Sequence, residues 1–258
     1  MLIDSHCHLD TFDDAEIPEV IARAREAGVE RMVTIGIRAN QSAAVRSLTE
    51  RFPAVWGTVG VHPHRVGEAP LPSVAELLAL ADHSRIVGLG ESGLDYFYDK
   101  APHEMQREGF RRHIKAAQLP GLPLVVHARD ADEDIQAVLE EEHRAGGPFP
   151  FVLHCFSSGR ALAEAAVRLG GYVSFSGILT FRNGEAIRAI AADLPEERLL
   201  VETDSPYLAP VPLRGKRCEP AYVLQTAKAL AAVRGVGLAE VEALTTANFH
   251  RLFTKAPR

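Results

Sequence analysis

Six side chains of the types that hold metal ions stand beside short apolar runs of the chain. They are His6, His8, Glu91, His127, His154 and Asp204. In extended backbone, His6 and His8 project to the same side because one residue separates them, while Cys7 points to the other side. Both imidazoles can therefore reach one cation, although an isolated pair of histidines is more often exposed or bonded to other groups than bound to metal.

The other four candidates each follow an apolar run. The runs are Ile86–Gly90 before Glu91, Leu124–Val126 before His127, Phe151–Leu153 before His154, and Leu199–Thr203 before Asp204. Taken singly, each residue could be a salt-bridged loop acid, a histidine bonded to backbone carbonyls, or a helix-capping acid. Their shared position at the ends of predicted strands indicates instead that all six are metal ligands.

The strands that would position these side chains alternate with amphipathic segments along the whole chain. The predicted strands are Leu2–Asp4, Arg31–Ile35, Val55–Val59, Ile86–Leu89, Leu124–Val126, Phe151–Leu153, Tyr172–Phe175 and Leu199–Glu202. The predicted helices are Glu16–Ala27, Val74–Ala81, His103–Gln118, Ala131–Glu142, Arg160–Arg168, Gly184–Ala191, Ala221–Arg234 and Ala239–Phe253. This alternation predicts an α/β fold, a (β/α)8 TIM barrel with the metal site at its C-terminal mouth. An open doubly wound sheet would alternate in the same way, and the placement of the polar residues favours the barrel.

Length and composition agree with one domain that spans residues 1–258. The 258 residues approach the roughly 250 typical of this barrel, and no linker or repeat divides them. The formal net charge of -6 argues against a broad basic surface for nucleic acid, but not against a nuclease whose cations supply positive charge. The sequence shows no export signal or membrane span, and its three cysteines fit reduced thiols, so a cytoplasmic location is predicted.

Seven short motifs occur in order along nearly the whole chain. They are DSHCHLD at 4–10, GVHPH at 60–64, GESGLDY at 90–96, VVHAR at 125–129, LHCFSSG at 153–159, VETDSPYLAP at 201–210 and NFHRLF at 248–253. Together they resemble the motifs of the TatD-type metal-dependent deoxyribonucleases, a family of TIM-barrel metallohydrolases. The resemblance implies that His6, His8 and Asp204 hold one cation, that His127 and His154 hold another, and that Glu91 bridges both.

The same resemblance implies a 3′-5′ exodeoxyribonuclease that acts on DNA ends in repair or degradation. The wider superfamily often bridges its metals with a carboxylated lysine, and Glu91 in that place favours the TatD-like branch over dihydroorotase-like or phosphotriesterase-like enzymes. The chain departs from the family pattern at Cys218, where asparagine is common. That departure leaves the local hydrogen bonding of its loop open.

Two divalent cations suit the hydrolysis of a phosphodiester, whose charge repels a nucleophile and whose leaving group is poor. The ligand types fit zinc, manganese or magnesium without choosing among them. Asp204 is the predicted general base, and Glu91 is the second predicted catalytic residue. His62, Arg129 and Arg214 are predicted to bind substrate phosphates, with loop-stabilising or surface roles as the alternatives.

Aromatic side chains stand in several of the predicted mouth loops. They are Tyr96, Phe97, Tyr98, Phe156, Phe181 and Tyr207. Their rings could stack on unpaired bases or simply pack the loops. Single-stranded or frayed 3′ ends of DNA are therefore the expected partner, and a monomer is the expected state.

Two other functions fit the same residues. One is a hydrolase of small amides, lactones or phosphotriesters, which would have a narrow neutral pocket in place of an open basic one. The other is a binding protein that keeps metal for stability alone. The complete set of six ligands argues against the second function, because a decayed site would be expected to have lost one.

Overall fold

Eight parallel strands lie side by side in the order of the sequence and enclose a barrel. The computed structural model describes residues 1–256, so the predicted domain boundary at residue 258 lies outside the described residues. The strands are β1 (Leu2–Cys7), β2 (Val29–Ile35), β3 (Val55–Val59), β4 (Ile86–Asp95), β5 (Leu124–Arg129), β6 (Phe151–Leu153), β7 (Tyr172–Phe175) and β8 (Leu199–Val201). The predicted TIM barrel is confirmed.

The barrel closes where the end of β1 meets the segment that follows β8. The backbone N–H of Asp204 donates to the carbonyl of His6 over 3.0 Å, and the N–H of His8 donates to the carbonyl of Ser205 over 2.8 Å. These two hydrogen bonds hold Asp204 beside the two histidines of β1. Barrel closure therefore brings together residues that are almost 200 positions apart in sequence.

Helices cover the outside of the barrel. In residues 1–256 they are α1 (Ile17–Glu26), α2 (Ser42–Arg51), α3 (Val74–Ala81), α4 (His103–Gln118), α5 (Asp132–Gly146), α6 (Arg160–Arg168), α7 (Glu185–Asp193), α8 (Val223–Arg234) and α9 (Leu238–Leu252). The sequence prediction omitted α2, whose apolar face rests on little more than Val45 and Leu48. The helix is stabilised by packing of that face against the sheet rather than by a strong apolar periodicity.

Every second side chain of a strand points into the barrel. The inward side chains are apolar near the amino ends of the strands and polar near the carboxyl ends. Val125 lies two residues before His127 in β5, and Val152 lies two residues before His154, so each pair faces the same side. Val125 and Val152 belong to an apolar cluster that also contains Phe249 of α9. The amino ends of the strands thus form a packed floor, and the histidines lie above it at the carboxyl ends.

Candidate metal centre

The carboxylate of Glu91 lies at the middle of a group of histidines. Its Oε1 atom is 2.8 Å from Nε2 of His154 and 2.9 Å from Nδ1 of His127. Its Oε2 atom is 3.6 Å from Nε2 of His6 and 3.8 Å from Nε2 of His8. The two oxygens of one side chain therefore face two separate pairs of imidazoles.

Glu91 lies within β4 rather than after it, because this strand continues to Asp95. Its position depends on a close approach of two backbones, one just after β3 and the other within β4. A Cβ atom built on Gly60 would lie 2.7 Å from Cα of Gly90, and Gly90 itself has a φ of +110°. Glycine at both positions therefore allows the two strands to approach and to present Glu91 to the barrel axis.

Asp204 completes the group on the side of His6 and His8. Its Oδ1 atom is 3.5 Å from Nε2 of each histidine, and those two nitrogens are only 3.2 Å apart. Asp204 has a φ of +58°, a conformation that few residues other than glycine adopt and that aspartate tolerates better than most. The loop after β8 thus turns its carboxylate toward the two imidazoles.

The donor set fits divalent cations. On each side of Glu91, two imidazole nitrogens approach one another: the second pair, Nδ1 of His127 and Nε2 of His154, is 3.3 Å apart. Within residues 1–256, no lysine or arginine forms an ion pair with Glu91 or Asp204. Buried carboxylates require a positive partner, and cations held between these nitrogens and oxygens would supply it.

Electrostatics in the group are dominated by burial and by contact between acid and base. Burial alone would raise the pKa of Glu91, but the neighbouring His154 and His62 hold that pKa well below its ordinary value. Burial lowers the pKa of His154, yet Glu91 and Glu202 raise it well above the usual range. For His8, the contacts with Asp204 outweigh burial and raise the pKa to about 9. Metal binding would displace these protons and take over the positive charge.

Asp95 is a site residue to which the sequence prediction gave no role. It is fully buried, and its Oδ2 atom is 2.7 Å from Nε2 of His64 and 3.1 Å from Nε2 of His127. Its Oδ1 atom accepts hydrogen bonds from the backbone N–H groups of Phe97 and Tyr98. Asp95 therefore fixes the ring of His127 so that Nδ1 is directed at Glu91. The spacing of four residues from Glu91 on one strand is the sequence signal that could have indicated it.

Glu202 has the corresponding position behind His154. It is fully buried, with its Oε1 atom 3.4 Å from Nδ1 of His154 and 2.7 Å from the backbone N–H of Cys155, which donates to it. Burial raises the pKa of this carboxyl despite the contact with His154. Two of the four histidines beside Glu91 are thus supported from behind by a carboxylate. Glu202 lies two residues before Asp204, and that alternation was its only sequence signal.

His62 lies at the edge of the group, where it can donate a hydrogen bond. Its Nδ1 atom accepts from the backbone N–H of His64 over 3.0 Å, so the proton of the neutral ring is on Nε2. That Nε2 atom is 3.3 Å from Oε1 of Glu91, and burial lowers the pKa of His62 to about 4. A neutral ring with Nε2–H is a hydrogen-bond donor, which agrees with phosphate binding better than with metal ligation.

The two arginines predicted to bind phosphate differ in position. Arg129 lines the cavity above the histidines, with its guanidinium 4.8 Å from the ring centre of Phe97. Arg214 is exposed, does not line that cavity, and lies 3.9 Å above the ring of Phe181. Arg217, which lies in the same long loop as Arg214, forms an ion pair with Glu16 just before α1. Phosphate binding therefore stays a prediction for both arginines, of which only Arg129 lines the cavity.

The aromatic side chains are divided between the two alternatives, packing in the loops and exposure at the cavity. Phe156 is 1% exposed and packs against Phe175 in the core, so it cannot stack on a ligand. The ring of Tyr96 stacks on His103, and its hydroxyl donates to Asp134. Tyr98 and Tyr207 remain exposed and line the cavity. Residue order along the predicted loops could not distinguish rings that turn inward from rings that turn outward.

The cavity above the histidines has a volume of about 630 Å³ and is open on one side. All six predicted ligands lie at or beneath it, so the structure brings together every residue of the predicted metal site.

A family model for TatD related DNase matches residues 3–254 of this chain. The chain belongs to the TatD related DNase family.

Relatives of this TatD family member share its full length. The uncharacterized metal-dependent hydrolase YcfH of Escherichia coli K12 is 42% identical over 258 residues, covering 98% of this chain and 95% of that protein. The 3′-5′ ssDNA/RNA exonuclease TatD of Cronobacter sakazakii is 35% identical, covering 94% and 93%. The crystal structure of the TatD homologue YJJV from Escherichia coli K12 superposes with a TM-score of 0.91 at 26% identity, covering 99% and 98%. The protein is a metal-dependent hydrolase of this family.

Two further findings concern the predictions about compartment and cysteines. Within residues 1–256, no helix has the length and apolar character needed to cross a membrane. Cys7, Cys155 and Cys218 are all free thiols. Cys218 is buried, its backbone N–H donates to the carbonyl of Pro206, and its thiol contacts the carbonyl of Glu219. The hydrogen bonds of Cys218 therefore involve none of the six predicted ligands.

The role of Asp95 can be tested by the change Asp95→Asn. The amide would direct an N–H toward the Nε2–H groups of His64 or His127, so the support for His127 would be lost. We expect cation affinity to fall about 10- to 100-fold, with part of the activity recovered at high cation concentration. Titration of the activity with cation measures the affinity and the recovery, and thermal unfolding shows whether the variant is folded. An unchanged cation affinity in a folded variant would contradict the role.

Proposed function

We propose that the protein hydrolyses phosphodiester bonds of DNA with the aid of two divalent cations, as a 3′-5′ exodeoxyribonuclease. The proposal is supported above all by the position of the Glu91 carboxylate. One of its oxygens faces His127 and His154, and the other faces His6 and His8. One group, with His6, His8 and Asp204, would hold one cation. The other, with His127 and His154, would hold the second, and Glu91 would bridge them.

The side chains of the cavity have roles that follow from their positions. Bound cations would supply positive charge against the phosphoryl oxygens and would acidify a water molecule. Asp204 would accept the proton of the attacking water, because its side chain is 14% exposed, against 2% for Glu91 and 1% for Asp95. His62 would donate its Nε2–H to a phosphate oxygen, and Arg129 would bind the same or the next phosphate.

The size of the cavity favours an end of a strand over its interior. A volume of about 630 Å³ is typical of a site for one small-molecule ligand, so a polymer would enter by its terminus. The net charge of -6 agrees with this, since the protein lacks the excess of basic residues that binding along a duplex would require. The relative from Cronobacter sakazakii is named for 3′-5′ action on single-stranded DNA and RNA. We propose the same polarity here, in DNA repair or degradation, by a monomer that contains the whole site.

Removal of metal tests this function directly. A single-stranded oligonucleotide labelled at its 5′ end should be shortened step by step from its 3′ end by protein loaded with zinc, manganese or magnesium. Chelation should lower the rate at least about 100-fold, and one of these cations should restore it. Circular single-stranded DNA, which has no end, is the matched control and should resist.

Two outcomes would contradict the proposal in different ways. Cleavage of the circular strand would show an endonuclease and refute the selection of ends. Loaded protein that leaves every DNA intact but hydrolyses a small lactone or amide would assign the same metal centre to a different substrate class.

A further inference from the structure

Two exposed tyrosines border the cavity above the histidines. Tyr98 is 56% exposed and Tyr207 is 57% exposed, and both line the cavity. Exposure of large rings is unfavourable in water, and here two of them flank one polar opening. Tyr98 follows β4 and Tyr207 follows β8, so the two rings come from well-separated strands of the barrel.

Each ring makes an edge contact with a histidine of the site. Tyr98 is 5.3 Å from His64, measured between ring centres, with an interplanar angle of 78°. Tyr207 is 6.2 Å from His8, with an angle of 67°. His64 is bonded to Asp95 on the side of His127, whereas His8 faces Asp204. The two tyrosines therefore stand beside the two different halves of the donor group.

The backbone of each tyrosine is tied to a carboxylate residue of the site. The N–H of Tyr98 donates to Oδ1 of Asp95 over 3.0 Å. The N–H of Tyr207 donates to the backbone carbonyl of Asp204 over 2.9 Å. The backbone hydrogen bonds thus hold both tyrosines next to the carboxylate residues of the site. Only two rotatable bonds join each ring to the backbone, so little conformational entropy is lost when a planar group stacks on it.

The other aromatic side chains near the cavity are engaged by neighbours or lie outside the cavity wall. Tyr96 is stacked on His103, Phe156 is in the core, and Phe97 is covered by the guanidinium of Arg129. For the part of the chain that the structure describes, only Tyr98 and Tyr207 combine high exposure with a place in the cavity wall.

We propose that Tyr98 and Tyr207 form a stacking subsite for nucleobases, which binds unpaired bases at the strand end. This inference rests on the proposed function, because it takes a DNA end as the ligand of the cavity. Stacking accepts any base, since each has a π-face, and it suits bases that are free of a partner strand. The subsite therefore selects frayed or single-stranded ends without reading sequence.

The experiment compares two oligonucleotides that differ only in their last two 3′ residues, which carry bases in one and are abasic in the other. The variants Tyr98→Leu and Tyr207→Leu keep apolar bulk but remove the ring, and Tyr98→Phe and Tyr207→Phe keep the ring. On the strand with bases, we expect each leucine variant to lose about 10-fold in kcat/KM and each phenylalanine variant to stay within about twofold. On the abasic strand, wild type and all variants should be equal.

Equal losses on both strands would overturn the proposal, and so would phenylalanine variants as poor as the leucine variants. Oligonucleotide binding, measured by fluorescence anisotropy, separates this inference from the function on which it rests. If wild type cleaves no DNA but binding still depends on bases and rings, the nuclease function fails and the subsite stands. If cleavage occurs and the leucine variants match wild type on both strands, the function stands and the subsite fails.

Discussion

Glu91→Gln is expected to lower kcat on single-stranded DNA by about 1,000-fold or more, with the fold intact. Glutamine has the shape of glutamate, but it lacks the charge and replaces one oxygen with an N–H₂ group. Both oxygens of Glu91 are engaged, Oε1 by His127 and His154 and Oε2 by His6 and His8 at longer range. An N–H₂ group cannot serve as a ligand in either place, so at least one cation should be lost.

Cation content per chain, measured by mass spectrometry of the metal after dialysis, should therefore fall together with kcat. Glu142→Gln is a matched control, because Glu142 is also buried but pairs with Arg111 on the outside of the barrel. The control should keep its full metal content and its activity. A Glu91→Gln protein that binds two cations and turns over DNA at the wild-type rate would remove the basis for a bridging carboxylate.

The barrel and its ligands were predictable because both depend on topology. Parallel strands joined by helices direct their carboxyl ends to one mouth, so residues such as His127 and His154 had to lie near one another once the strands were recognised. The sequence shows each histidine directly after an apolar run, which places it at the carboxyl end of a strand. That placement was enough to predict that the two residues converge.

What the sequence did not indicate was the support behind the ligands. Asp95 contacts His127 and Glu202 contacts His154 through hydrogen bonds of 3.1 and 3.4 Å, and such contacts depend on tertiary geometry that spacing along one strand only suggests. The continuation of β4 to Asp95, beyond the apolar run that ends at Leu89, placed the first of them. Phe156 shows the same limit, since it lies in the loop after β6 and its ring nevertheless packs against Phe175 in the core.

Asp204→Asn is expected to lower kcat about 100- to 10,000-fold even at saturating cation. Asp204 is the most exposed of the carboxylates that face the histidines, and it reaches the cavity where water and substrate enter. Asparagine adopts the same positive φ as readily as aspartate, so the turn at 58° should be retained. The loss should then reflect the missing base rather than a displaced loop.

The dependence of kcat on cation concentration distinguishes a role of Asp204 as general base from a role as metal ligand alone. If Asp204 served only as a ligand of the cation beside His6 and His8, a large excess of cation would return kcat of the variant to the wild-type value. A kcat that stays low on a saturated curve indicates lost proton transfer, because binding can no longer limit the rate. The matched control is Asp193→Asn, which changes an exposed aspartate at the end of α7 that pairs with Arg160 of α6, and it should leave both kcat and the cation curve unchanged.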